Sequence, residues 1–99
     1  APVDVAREYN DFVADLVSRH PKRLVALGIA HPMAGDAMLR EMERAVKQLG
    51  LRGFLVIPRY DGDFLDSERA LPFFEMCEKL DGVVFVHNAV GCLGSEYMD

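Results

Sequence analysis

Three short apolar runs, RLVALGIA at 23–30, RGFLVIP at 52–58 and VVFVH at 83–87, alternate with stretches of helical period. Each run is too short for a helix and apolar on both faces, the pattern of a parallel strand covered on two sides. The spacing predicts strands over 23–30, 52–58 and 83–87 and helices over 4–19, 36–49 and 71–80. Strands separated by helical crossovers imply an α/β fold with a parallel sheet.

The helices carry their own punctuation. Tyr9, Phe12, Val13, Leu16 and Val17 recur at helical spacing and predict the apolar face of the first, which Pro21 ends. Met38, Met42, Ala45 and Leu49 line the second, flanked by Leu39 and Val46, with Glu43 and Lys47 set for an i, i+4 ion pair. Gly50 stands where a left-handed residue closes a helix. Phe73, Met76, Cys77 and Leu80 give the third stripe, with Pro72 in its first turn and Asp81-Gly82 at its end. Pro58 closes the second strand, and YDGDFLDS after it reads as a polar loop. No linker or repeat interrupts residues 1–99, which read as a single segment.

In parallel α/β folds ligands gather at the carboxyl ends of the strands. Those ends carry His31, Arg59 with Tyr60, and His87 with Asn88. A period of two puts Val83 and Phe85 on the same face as His87, so the imidazole stands at the mouth of an apolar layer. Strand geometry alone leaves His87 as either a hydrogen-bonded structural residue or a ligand. Arg59 is a candidate for pairing a substrate carboxylate, with Asp61 and Asp63 as competing surface partners, and Tyr60 reads as loop packing. His20, before Pro21, reads as a helix-end residue. GCLGS at 91–95 lacks the lysine of a phosphate loop and the spacing of a dinucleotide loop, and reads as a flexible rim loop.

Charge removes some partners. Residues 1–50 balance seven basic against seven acidic side chains, and residues 51–99 hold four basic and nine acidic, for a net charge of −5. No basic patch favours nucleic acid or an anionic membrane, and no apolar stretch is long enough to span one. Cys77 and Cys92 match no metal-site spacing and are too few to staple a secreted domain, so reduced thiols in a cytoplasmic protein are expected. Ala1 in place of Met hints at processing or at a chain cut from something longer.

Taken in order, NDFVADLVSRHPKRLVALGIAHP, EMERAVKQLGLRGFLV and LPFFEMCEKLDGVVFVH resemble the middle of the amidohydrolase-related family. The branch concerned includes aminocarboxymuconate-semialdehyde decarboxylase and aromatic-acid decarboxylases. The resemblance implies part of a (β/α)8 TIM-type barrel holding a divalent metal, usually zinc, at its carboxyl rim, with His87 as one ligand. The family's first-strand His-x-His pair and its later His and Asp are absent, Asn88 replaces the proline after the ligand histidine, and His31 stands where a nonligand residue is usual. The resemblance further implies a decarboxylase or hydrolase acting on a small carboxylated, in some members aromatic, substrate, with Arg59 and Asn88 as candidate contacts. Further barrel segments of the same polypeptide, or self-association, are the expected partners, and the isolated 99 residues are expected to be inactive. The alternative is a noncatalytic fragment or a small α/β binding module.

Overall fold

Pro2 opens the first helix, α1 (Pro2–Arg19), in the computed structural model, which describes residues 1–60 and 62–87. The His20 carbonyl then accepts from Arg23 and Leu24, turning the chain at Pro21 as expected. β1 (Gly28–Ile29), β2 (Gly53–Val56) and β5 (Val83–Val86) form one sheet in the order β1-β2-β5, with both pairings parallel. Helices α2 (Asp36–Lys47) and α3 (Leu71–Leu80) connect them. All three strands and all three helices anticipated from the apolar period are present.

β1 is shorter than the run that announced it. Residues 23–25 are exposed and start inside the turn, while Arg52 N–H donates to the Ala26 carbonyl and carries the pairing only that far. An edge strand has one ladder partner, so its ends lack support from the other side. At Ile29 that free edge is closed by a side chain. Asn10 Oδ1 accepts the Ile29 N–H at 2.7 Å, and Asn10 Nδ2 donates to the Ile29 carbonyl at 3.3 Å. Gly28 makes room for this, since a Cβ there would meet Asn10 Oδ1 at 2.5 Å.

The core lies between the helices and one face of the sheet. Phe54 and Val56 of β2 pack with Met38, Met42 and Ala45 of α2 and Phe73 and Cys77 of α3. The α2 and α3 faces are those the stripes predicted. The α1 face is so only in part: Val13 is buried as expected, beside Ala6 and Asn10, whereas Tyr9, Phe12 and Leu16 are exposed. Small residues and an amide face inward because α1 lies close against the β1 edge that Asn10 closes. Glu43 also departs from expectation, its Oε2 lying 3.7 Å from Lys79 Nζ of α3, so this pair ties two helices together where Lys47 was expected.

The helix ends follow the sequence closely. Gly50 has a positive φ, and Leu51 N–H reaches back to the Ala45 carbonyl. Asp81 takes the left-handed conformation at the end of α3, and Gly82 N–H bonds the Cys77 carbonyl. The expected polar loop after Pro58 instead contains a two-stranded antiparallel hairpin, β3 (Arg59–Tyr60) with β4 (Asp63–Phe64). The sequence between its strands, Asp61-Gly62, is a hairpin-turn dipeptide, a local signal that the polar composition obscured.

Among the described residues, no helix lies over the other sheet face. Ile29, Leu55 and Phe85 are in register across the three strands, and Val83 and Phe85 are each more than half exposed. Among the described residues no helix is long and apolar enough to cross a membrane.

Candidate functional site

Because the three strands run the same way, their carboxyl ends bring His31, Tyr60 and His87 to one edge. These three, with Ile29, Leu55 and Ile57, line a concavity of about 390 Å³ that the first turns of α1 also border. Its walls are mostly apolar, with a few polar atoms converging, which is the usual composition of a small-molecule site.

Each polar member is held from the backbone. His87 N–H donates to the Val56 carbonyl at 2.7 Å, extending the β2–β5 pairing one residue past the strand and leaving the imidazole exposed at the edge. His31 Nδ1 accepts the Met33 N–H at 3.1 Å, which orients the ring from the backbone. The His31 ring lies 4.5 Å from the Tyr60 ring, tilted by 42°. Tyr60 Oη accepts the Ile57 N–H at 2.9 Å. Burial pushes the Tyr60 hydroxyl above its ordinary pKa, partly offset by that hydrogen bond, so it stays protonated and able to donate near neutrality.

Arg59 is exposed on the hairpin, its guanidinium carbon 5.8 Å from the centroid of the Phe64 ring, and it is not among the residues lining the concavity. Asp63, one expected partner of Arg59, is bonded by Arg69 Nη1 at 2.6 Å. Asn88, Cys92 and the GCLGS segment lie outside the described residues. His20 caps the end of α1, and Cys77 is buried and free. Tyr60 was underrated in the sequence because its placement depends on the hairpin.

A metal must be tested against donors. Neutral imidazole is a good ligand for a divalent cation, and His87 stands exposed at the carboxyl edge of the sheet. Among the described residues, however, no group of three or more His, Cys, Asp or Glu side chains is placed to hold one. The described residues therefore fit a metal as contributors of a ligand and do not enclose it.

Residues 3–95 match the amidohydrolase family. The chain is 36% identical over 85 residues to 2-amino-3-carboxymuconate-6-semialdehyde decarboxylase of Dictyostelium discoideum, covering 86% of this chain and 24% of that protein. It is 32% identical over 91 residues to a gamma-resorcylate decarboxylase of Rhizobium radiobacter, covering 86% and 28% respectively. Among solved structures it resembles 5-carboxyvanillate decarboxylase of Novosphingobium aromaticivorans, complexed with manganese and 4-hydroxy-3-methoxy-5-nitrobenzoic acid. That likeness has a TM-score of 0.83 at 26% identity and covers 97% of this chain and 27% of that one. The chain thus spans about a quarter of the length of the curated relatives it matches.

Proposed function

The chain belongs to the amidohydrolase family, and from that premise we propose that it forms the middle of a (β/α)8 barrel whose complete enzyme decarboxylates a small aromatic carboxylate with the help of a divalent metal. The observation that carries this reading is the position of His87, just past the carboxyl end of β5 and beside an apolar concavity. The relatives and the solved neighbour are decarboxylases, which favours decarboxylation over hydrolysis. The neighbour's manganese favours a divalent ion, and zinc, the usual family metal, is the other candidate.

In this reading His87 contributes one neutral imidazole ligand, and the remaining ligands come from strands outside these residues. When bound, the metal would supply Lewis acidity toward a substrate oxygen. The chain's own residues shape the rest. Ile29, Leu55 and Ile57 exclude water from one side of the substrate. Arg59 on the hairpin and Asn88, next in sequence to His87, are the residues assigned to its carboxylate. The reaction breaks the bond between a ring carbon and the carboxylate, releases CO2 and leaves an electron pair that takes a proton. It needs no oxidant, and the proton donor is assigned to residues beyond this chain.

The test uses the complete polypeptide containing this chain, loaded with manganese or zinc. Release of labelled CO2 from carboxyl-labelled 2,6-dihydroxybenzoate or 5-carboxyvanillate, lost on chelation and restored by metal, is the expected result. A folded, metal-loaded protein that releases none from a panel of aromatic acids contradicts the reading.

A further inference from the structure

The Tyr60 and His31 rings meet at 4.5 Å and 42°, and both line the concavity that reaches His87. Neither orientation is incidental. Tyr60 is fixed at its hydroxyl by the Ile57 amide and at its backbone by the hairpin, while His31 is fixed at Nδ1 by the Met33 amide. Two rings locked from the backbone present a rigid face at little cost in conformational entropy. The branched aliphatic side chains of Ile29, Leu55 and Ile57 line the same concavity. A concavity lined by two rings and by branched aliphatic side chains suits a flat ring, because aromatic pairs gain from offset or tilted contact beyond simple burial.

We propose that Tyr60 and His31 form the wall that receives the substrate's aromatic ring, and so set the preference of this site for aromatic over saturated carboxylic acids. The proposal rests on the decarboxylase reading above for its substrate class. It assigns neither residue to the chemical step. Tyr60 selects by its ring, and its hydroxyl, held by Ile57, is a fixing point.

Benzoate and cyclohexanecarboxylate share carbon count and charge and differ in the flat π-system, which makes them suitable probes. Their binding to the complete metal-loaded protein is measured by calorimetry, beside circular dichroism for each variant. The wild type should favour benzoate, and Tyr60→Leu, which keeps bulk without the ring, should weaken benzoate by about three- to tenfold while moving cyclohexanecarboxylate little. His31→Leu should act in the same direction, and Tyr60→Phe should retain the preference. Equal losses for both acids, no loss for either, or no binding of benzoate to the folded wild type overturns the proposal. Should Tyr60→Leu misfold, the wild-type preference and its survival in Tyr60→Phe still decide the matter. Binding needs no turnover, so absence of CO2 release with the benzoate preference intact rejects the decarboxylase reading and spares the wall.

Discussion

Glu41 sits at 2% side-chain exposure, a position where an uncompensated charge is expensive. Three donors surround it. Arg44 Nε lies at 2.7 Å and Nη2 at 3.0 Å, and Asn10 Nδ2 at 3.0 Å. Arg44 reaches onward to Asp11 at 2.8 Å, and its pKa is raised chiefly by the Glu41 hydrogen bond. Because Asn10 also closes the Ile29 edge, this network runs from α2 through α1 to β1, two residues before His31. Glu41→Ala removes the shared acceptor and leaves Arg44 and Asn10 short of a partner. Breaking a buried pair in this way should cost about 3–5 kcal/mol in urea unfolding, with Glu41→Gln milder. Asn10→Ala should sharply accelerate hydrogen exchange at the Ile29 amide. A Glu41→Ala loss below about 1 kcal/mol would show the network to be a solvated surface feature.

At the scale of elements, β2 and β5 pair closely because residue 53 has no side chain. Gly53 has φ +154°, and a Cβ there would lie 1.9 Å from the Val83 carbonyl oxygen. Gly53→Ala must therefore displace the start of β5, and with it the strand that ends on His87. A loss of about 1–3 kcal/mol or more in thermal unfolding is expected; an unchanged melt would contradict the close pairing. Helix α3 carries a second consequence. Burial pushes the Cys77 thiol up to about 11 from an ordinary 9.0. The unfolded chain releases this proton first as pH rises, so stability present below about pH 9 declines between about 9 and 11. In a Cys92→Ser background, thiolate absorbance should show a midpoint near 11, and a midpoint near 9 would place the thiol in water. The elements that the sequence made plain are those with a single strong period, α2, α3, β2 and β5. The face of α1 misled because two stripes share it, and the larger apolar one, Tyr9, Phe12 and Leu16, points away from this core. Asn10 lies four residues after Ala6 and three before Val13, and Glu41 three after Met38, so both occupy buried helical positions that their polarity disguised. Tyr60 was placed by a hairpin whose strands are two residues each, too short for any periodicity to register.

At the scale of the molecule, two apolar surfaces remain uncovered among the described residues. Val83 and Phe85 lie on the open sheet face, and Val5, Tyr9, Phe12 and Leu16 run along α1. Covering a large apolar side chain is worth about 1.5–3 kcal/mol, so these surfaces together rival the stability of a small domain. In the proposed barrel, further strands face the sheet and a neighbouring helix lies along α1. The isolated 99 residues should accordingly self-associate in sedimentation velocity, and a sharply melting monomer would contradict that expectation. They should also bind zinc weakly, about millimolar to high micromolar, since one imidazole does not make a site. The proposed complete barrel is different, because there ligands from several strands would converge with His87. Metal content by atomic emission, measured with circular dichroism on the complete polypeptide and on His87→Ala, tests this most directly. The mutant should remain folded while losing its metal and its decarboxylase turnover. Full metal occupancy and undiminished turnover in folded His87→Ala would mean that this histidine only ends a strand.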